Sequence, residues 1–226
     1  MFDFIKVKAI GVTQPLVDFI PDSEGIISYA ARVSAPQNQT NFDTADKLLG
    51  YCAKHAHWSV FETCSITMEI EAPRDTCRQI LRHRSFSFQE FSQRYAEATD
   101  FCTREARLQD RKNRQNSIKA PTETEDDRFL ISEWERRQQE VLEIVNDHYN
   151  WAINCGIAKE CARALLPEGL TMSKMYMQGS VRSWMHYINL RKENGTQLEH
   201  CNVAWKAREE FVKLFPSLEK YVQYIS

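Results

Sequence analysis

The clearest strand in the sequence is Cys64-Ser65-Ile66-Thr67-Met68-Glu69-Ile70. Apolar and polar side chains alternate along it, which is typical of a strand with one buried face. Pro73 follows, and Cys77, Ile80 and Leu81 then recur at helical spacing, so a helix is expected directly after the strand. Upstream, Phe4–Val12 alternates more loosely and predicts a second strand.

Helical spacing dominates the rest of the chain. It predicts two helices near the start, one capped by Ser23 and one by Asp43 or Thr44. One long helix or two in series are expected over Thr122–Gly156, and further helices over Glu160–Leu165, Val181–Arg191 and Gln197–Leu214. A strand is expected at Leu170–Gln178 and a break in the helical pattern at Asn194-Gly195. Seven Gly and seven Pro in 226 residues are too few for an all-β protein with many tight turns. We therefore expect an α+β fold: a helix-rich single domain over residues 1–226 with a central, mainly antiparallel sheet and a loop insertion over 95–120.

Charge and cysteine content limit the function classes. The formal net charge of −2 gives no overall basic field, so neither nucleic acid nor a membrane is an expected partner. The seven cysteines are odd in number and contain no C-x-x-C pair, which favours reduced thiols in the cytoplasm. No leader and no apolar run long enough to span a membrane is recognisable. His55 and His57 would diverge on a helix, and no metal site is expected.

One segment concentrates side chains that bind anions. Residues 82–95 contain three arginines, one histidine, three serines and one glutamate, and they follow a predicted helix. Guanidinium groups bind phosphate or carboxylate with two hydrogen bonds, and serine hydroxyls fill the remaining positions. The composition alone fits an anion site and a solvated basic loop equally well. The interleaved Phe86, Phe88, Phe91 and Tyr95 favour the anion site, because they would anchor the loop in the core.

The segment also carries a resemblance. Residues 82–94 resemble the signature R-H-R-x-x-S-x-N-x-x-S-x-R of flavin-dependent thymidylate synthases at every fixed position except Gln89, where the family most often has Asn. Thr63 is a second departure, because many relatives have His there. Further resemblance lies in Ala31-Arg32-Val33-Ser34, His57–Glu62, Arg78-Gln79, Glu160–Pro167, Arg182-Ser183, Leu190-Arg191, Gln197 and Glu199.

The resemblance implies methylation of dUMP to dTMP, with 5,10-methylenetetrahydrofolate as carbon donor, FAD as cofactor and NADPH as reductant. It implies a non-Rossmann flavin site, and the sequence indeed lacks G-x-G-x-x-G. It also implies a homotetramer with active sites at subunit interfaces. The implied cofactor-binding residues are Ser34, Glu62, Arg82, His83, Arg84, Gln89, Glu90 and Arg182. The implied dUMP-binding residues are Gln79, Glu90, Ser92, Gln93, Arg94, Arg163 and Arg191.

Two of these residues are expected to act in catalysis. The resemblance implies that Arg191 polarises the uracil ring, so that no enzyme nucleophile is needed at C6. Ser92 is expected to bind phosphate, because no base lies near it in sequence. The ordinary thymidylate synthases use a cysteine in a Pro-Cys-His segment, and no cysteine here has that context. His83, placed between two arginines, is expected to contact the flavin rather than the core.

Other interpretations predict less of the sequence. A nucleotide- or RNA-binding module would need a wider basic face. A phosphoryl-transfer enzyme using His83 would have only Glu90 as an acid, and a methyltransferase with another donor is a third alternative. None accounts for the distant matching blocks. The basic cluster Arg104, Arg107, Arg111, Lys112 and Arg114 either guards an entrance for folate or NADPH or, as we expect, forms a mobile, solvated loop. Trp134, Trp151, Trp184 and Trp205 are expected in the core or at an interface.

Overall fold

The computed structural model describes residues 2–192 and 195–223, and its central feature is a four-stranded antiparallel sheet. The strand order is β1-β2-β6-β3, with β1 at Lys6–Val12, β2 at Ser65–Pro73, β6 at Met172–Ser180 and β3 at Ser87–Glu90. The mainly antiparallel sheet predicted from the sequence is confirmed.

The helices follow the predicted order. They are α1 at Ser23–Ala31, α2 at Ala45–Lys54, α3 at Arg74–Ile80, α4 at Glu125–Asn154, α5 at Lys159–Ala162, α6 at Val181–Arg191 and α7 at Leu198–Leu214. The long segment is a single helix, which begins at a Thr124–Asp127 capping box and ends before Gly156, whose φ is +79°. Of the predicted break, Asn194 lies outside the described residues and Gly195 has a φ of +93°.

Three local predictions were wrong in detail. Asp22, not Ser23, caps α1, because the Asp22 carboxylate accepts a hydrogen bond from the Gly25 amide. Pro73 is the last residue of β2 and the cap position of α3 rather than a residue of its first turn. The strand predicted at 170–178 lies at Met172–Ser180, because its register with β2 pairs Met172 with Pro73 and Ser180 with Ser65.

The core lies on one face of the sheet. Ile66, Met68 and Ile70 of β2 are fully buried, and Met177 and Met175 lie opposite the last two on β6. The core cluster also contains side chains of the two helices that follow β6, among them Trp184, Val203 and Phe211. The Trp184 indole N–H donates to the Ile66 carbonyl at 3.1 Å. This bond ties the first turn of α6 to the central strand.

The predicted loop insertion over 95–120 is partly ordered as β structure. Strands β4, at Arg107–Gln109, and β5, at Ser117–Lys119, form a two-stranded hairpin. Phe101 forms a bridge with Thr171, and the Tyr149 hydroxyl on α4 accepts from the Ala98 amide. The insertion is therefore tied both to the end of the sheet and to the long helix.

Candidate active site

A close backbone approach positions the segment that resembles the family signature. The Phe86 ring packs over Gly179 of β6, where an added Cβ would lie 2.4 Å from Cδ1 of Phe86. Phe86 also packs edge-on against Trp184, at 4.9 Å between ring centroids. The segment was expected to be a loop, but residues 87–90 continue as edge strand β3 paired with β6. The alternating aromatic residues explain the difference, because they anchor this strand to the core face.

Side chains from α3, the signature segment and α5 surround a cavity of about 610 Å³, which we call the arginine cavity. Its lining residues are Arg74, Arg78, Gln93, Glu160, Arg163, Ala164, Leu166 and Glu168. Of the predicted dUMP residues, it brings together Gln93 and Arg163. Arg94 lies beside it, because its Nε is 3.3 Å from the Glu160 carboxylate.

The arginine cavity has hydrogen-bond donors to spare. The Gln93 amide nitrogen, Nε of Arg78 and one terminal nitrogen of Arg74 are buried without a hydrogen-bond acceptor among the described residues. The two arginine nitrogens lie 3.9 Å from Glu168 and 3.6 Å from Glu90, which are ion-pair distances too long for a hydrogen bond. Gln93 is only 4% exposed. Glu90 lies 3.0 Å from Arg78 and 3.6 Å from Arg74, and its carboxylate also accepts from Ser173. Buried donors without acceptors are costly, so the cavity fits an anion with several oxygen atoms.

Arg74 and Glu168 were not among the predicted site residues. No motif in the sequence marks Arg74, which follows Pro73 at the start of α3. Arg78 belongs to the matched Arg-Gln pair, but it received no role in the sequence analysis. The signal that identifies all three is their arrangement: both arginines lie on one face of α3 and face the carboxylates of Glu90 and Glu168.

A second cluster joins the signature segment to the end of α6. The Arg191 Nε–H donates to Nε2 of His83 at 2.9 Å, and His83 packs edge-on against Tyr187 at 4.9 Å. Burial, together with the positive charge of Arg191, lowers the pKa of His83 to about 4. The expectation that His83 avoids the core was wrong in part, because its ring is partly buried among aromatic rings.

Gln79 and His200 extend this second cluster. The His200 ring lies 6.0 Å from that of His83, and its Nδ1 is 3.4 Å from the Gln79 amide oxygen. Burial first, and then the charges of Arg191 and His83, lower the pKa of His200 to about 3. Both histidines are therefore neutral at physiological pH, and of the groups His83, Arg191 and His200 only Arg191 carries a charge.

The remaining predicted cofactor residues are dispersed over the surface. Arg82, Arg84 and Gln89 are exposed, and Glu62 is hydrogen-bonded to Arg182. Ser34 lines a separate cavity of about 480 Å³ whose lining includes no other predicted site residue. Within the described chain, these side chains do not converge on one pocket.

The prediction for the basic cluster was wrong for two of its members. Arg104 and Arg107 are 11% and 14% exposed, and both bind the carboxylate of Glu199, which is fully buried. Arg104 also binds Asp75 at 2.6 Å and the Gly169 carbonyl. A buried carboxylate requires charged partners, which these two arginines supply. Arg111, Lys112 and Arg114 remain exposed, as expected for the tip of a hairpin.

The five buried cysteines carry no sign of an activated thiol. Cys52, Cys64, Cys77, Cys102 and Cys201 are buried, and burial raises the pKa of each of these thiols. For Cys77 the pKa rises to about 12, and for Cys201 to about 11. A thiol with such a pKa supplies almost no thiolate at neutral pH.

Comparison with known proteins decides between the interpretations. The family model described as "Thymidylate synthase complementing protein" matches residues 15–217. A probable flavin-dependent thymidylate synthase of Paramecium bursaria Chlorella virus 1 is 47% identical over 222 residues, covering 98% of this chain and 100% of the relative. A flavin-dependent thymidylate synthase of Synechocystis sp. is 46% identical over 224 residues, covering 97% and 100%.

The chain belongs to the flavin-dependent thymidylate synthase family. It is accordingly a flavin-dependent enzyme of the methyltransferase class that acts in dTMP biosynthesis. Among solved structures, the UMP/dUMP methylase PolB from Streptomyces cacaoi, bound with 5-Br dUMP, is similar with a TM-score of 0.77. The two are 27% identical, and the match covers 96% of this chain and 93% of PolB. Membership excludes the binding module and the phosphoryl-transfer enzyme considered from the sequence.

Proposed function

We propose that this flavin-dependent thymidylate synthase converts dUMP to dTMP with 5,10-methylenetetrahydrofolate as carbon donor, FAD as cofactor and NADPH as reductant. The observation that carries the assignment of dUMP is the surplus of buried donors in the arginine cavity. A phosphate monoester supplies the acceptors that Gln93, Arg78 and Arg74 lack. PolB, one of the similar structures, is described as a UMP/dUMP methylase.

The phosphate group would be bound from two sides of the arginine cavity. Gln93 and Arg163 line it, Arg94 pairs with its lining residue Glu160, and Ser92 directly precedes Gln93 in the signature segment. Glu160 holds both flanking arginines, since its carboxylate pairs with Arg94 and its carbonyl accepts from Arg163 at 3.3 Å. Glu90 would act indirectly, by orienting Arg74 and Arg78. Ser92 would bind phosphate and would not be a nucleophile.

Arg191 would polarise the uracil ring. The Nε–H of Arg191 donates to neutral His83, and this bond orients the guanidinium group. The two terminal nitrogens of Arg191 can then donate to a uracil carbonyl. A fixed positive charge at a carbonyl oxygen stabilises the negative charge that develops as C5 becomes nucleophilic. Because His83 is uncharged, it orients the guanidinium without competing for the same anion.

The flavin residues fit an extended, anionic dinucleotide. Arg82 and Arg84 are exposed, and within the described chain neither forms an ion pair, so their guanidinium groups can take the pyrophosphate of FAD. We assign His83, Ser34, Glu62, Gln89, Glu90 and Arg182 to the same cofactor, in a site that is not of the Rossmann type. When bound, reduced FAD supplies the hydride that completes the methyl group.

A homotetramer would bring the dispersed residues together. Helix α4 exposes an apolar stripe on one face, formed by Leu130, Trp134, Val141, Ile144 and Trp151. Arg137 and His148 share this face, and we propose that its exposed apolar side chains pack against another copy of the chain. Light scattering after gel filtration should then give four times the chain mass of 26.5 kDa. A monomeric, active enzyme would contradict the tetramer without affecting the reaction.

The protein is proposed to act in the cytoplasm. No helix in the described part of the chain is long and apolar enough to cross a membrane. The seven cysteines are all free thiols, which suits a reducing compartment.

The deciding experiment measures dTMP formation from dUMP, methylenetetrahydrofolate and NADPH. Flavin-stripped protein should form dTMP only after FAD is restored, and UMP replaces dUMP in a matched reaction to test the sugar preference. Turnover by flavin-free enzyme would contradict the proposed mechanism. Folded, flavin-loaded enzyme that forms no dTMP would contradict the proposed reaction.

A further inference from the structure

Gln79, which the proposed function places at dUMP, is hydrogen-bonded to a row of partly buried polar groups that ends at the fully buried Glu199. The Gln79 amide nitrogen donates to the amide oxygen of Gln197. The Gln197 amide nitrogen donates in turn to the Glu199 carboxylate at 2.9 Å, and more weakly to Asp75 at 3.4 Å. Gln79 lies on α3 and Gln197 at the start of α7, so this row of hydrogen bonds joins two helices.

Each amide in this row of hydrogen bonds has only one workable orientation. Ionised carboxylates accept hydrogen bonds and never donate, so Gln197 must direct its NH₂ group towards Glu199 and Asp75. Its oxygen then faces Gln79, which must direct its own NH₂ group towards Gln197. The Gln79 oxygen accepts from Nδ1–H of neutral His200 on the opposite side. The direction of every bond therefore follows from the negative charge at Glu199.

The 95–120 insertion supplies the charges that keep Glu199 ionised. Burial by itself would raise the pKa of this carboxyl, but Arg104, the Gln197 hydrogen bond and Arg107 together lower it below its ordinary value. Arg104 is held in turn by Gln138 of α4, whose amide accepts from its backbone N–H at 2.7 Å and donates to its carbonyl at 2.9 Å. Glu199, at the end of this row of hydrogen bonds, is thus held by the 95–120 insertion, which contributes no residue to the arginine cavity.

We propose that Gln197 and Glu199, held by Arg104 and Arg107 of the insertion, are positioning residues that fix the amide orientation of Gln79 for dUMP. One N–H of Gln79 is used by Gln197, and the second is presented to the nucleotide as a donor. A rotated amide would present its oxygen instead, which an anionic or carbonyl-rich ligand repels. This inference rests on the proposed function, because it assumes that Gln79 contacts dUMP.

A double-mutant cycle on flavin-loaded enzyme tests this inference, with the Kd for dUMP measured by calorimetry. Gln197→Met removes the link to Gln79 and leaves the ion pairs of Glu199 intact. It should weaken dUMP binding about fivefold to tenfold, as expected for one hydrogen bond lost through misorientation. In the Gln79→Ala background the same substitution should change the Kd less than about twofold, because its effect passes through Gln79. Gln115→Met, in the hairpin region, is the matched control and should leave the Kd unchanged.

The outcomes separate this inference from the proposed function. Equal weakening by Gln197→Met in both backgrounds would overturn it, since a merely structural effect does not depend on Gln79. A raised Kd for dUMP in Gln79→Ala together with an unchanged Kd in Gln197→Met would also overturn it. In that case dUMP would remain the substrate. An unchanged Kd in Gln79→Ala itself would remove Gln79 from the proposed dUMP site. Gln197→Asn, which shortens the same amide, takes the place of Gln197→Met in the cycle if the latter does not fold.

Discussion

The Nε–H of Arg191 donates a hydrogen bond to Nε2 of His83 at 2.9 Å, between residues 108 positions apart in the chain. The bond requires a lone pair on Nε2, so the proton of His83 must sit on Nδ1 and the ring must be neutral. The pKa of His83, lowered to about 4, agrees with a neutral ring. A proton on His83 would place two positive charges in contact and break the bond that orients Arg191.

The neutral histidines predict a loss of stability in mild acid. Both His83, with a pKa of about 4, and His200, with a pKa of about 3, lie below the ordinary value of 6.5. The unfolded chain binds these protons at a higher pH than the folded chain, so stability is full above pH 6.5 and falls as the pH drops towards 4. Between pH 7 and pH 5 the buried His200 should cost about 1 to 2 kcal/mol, and the partly exposed His83 less than that, because solvent screens its charge. Urea unfolding at the two pH values measures the difference.

Single-residue variants show which histidine causes the loss of stability between pH 7 and pH 5. His83→Gln keeps an acceptor for Arg191 but cannot titrate, so its stability should fall less between pH 7 and pH 5 than that of the parent protein. His148→Gln is the control, because His148 is exposed on α4 and its side chain is 61% accessible. Identical pH profiles for the parent and both variants would contradict the assignment.

The buried ion cluster predicts a large difference between two arginines. Arg104→Met should destabilise the protein by about 3 to 5 kcal/mol, because it leaves Glu199 and Asp75 short of a charged partner in the interior. Arg136→Met removes an arginine that pairs with Glu133 and Glu140 on the exposed face of α4, and it should leave the unfolding midpoint unchanged. Comparable midpoints for the two variants would show that the buried cluster contributes little.

Periodicity predicted most of this fold, because the strands and helices that build the core have strong apolar patterns. Helix α6 was predicted with its observed bounds of Val181–Arg191, and the alternation of β2 was visible in the sequence. The pattern failed where tertiary contacts outweigh it. Strand β3 has only four residues, and it is held by Phe86 against Gly179 rather than by local preference. Charge alone likewise indicated a solvated loop at Arg104 and Arg107, whose partner Glu199 is distant in sequence.

The candidate site was predictable only where residue types occur in a fixed spacing. The resemblance identified Gln93 and Arg163, which the fold brings into one cavity. It did not identify Arg74, because a single arginine at a helix start has no distinguishing pattern. Nor could spacing show that Glu62 pairs with Arg182, since 120 positions separate them. The assignment of the remaining residues to FAD stays a prediction.

The raised thiol pKa values predict that none of the five buried cysteines is the nucleophile. Replacing any one of these five should leave measurable dTMP formation, because the buried thiols are protonated at neutral pH. The exposed Cys155 and Cys161 are replaced in the same series. Initial rates for the single Cys→Ser variants, normalised to bound flavin, make the test. A variant that folds and binds flavin but forms no dTMP would instead support covalent attack by that cysteine at C6 of the uracil ring.

Arg94 offers the sharpest test of the phosphate assignment. Its side chain is 55% exposed and, among the residues that the structure describes, its ion-pair partner is Glu160 at 3.3 Å, so Arg94→Ala should leave the melting temperature nearly unchanged. If Arg94 binds the dUMP phosphate, the same change should lower kcat/KM for dUMP at least about a hundredfold, because an ionic hydrogen bond to the substrate is lost. Arg137→Ala, at an exposed arginine of α4 that likewise pairs with a glutamate, is the matched control. Near-normal turnover by the Arg94→Ala enzyme would contradict the assignment of Arg94 to the dUMP phosphate. The buried donors of Arg74, Arg78 and Gln93 would then have to bind a different anion.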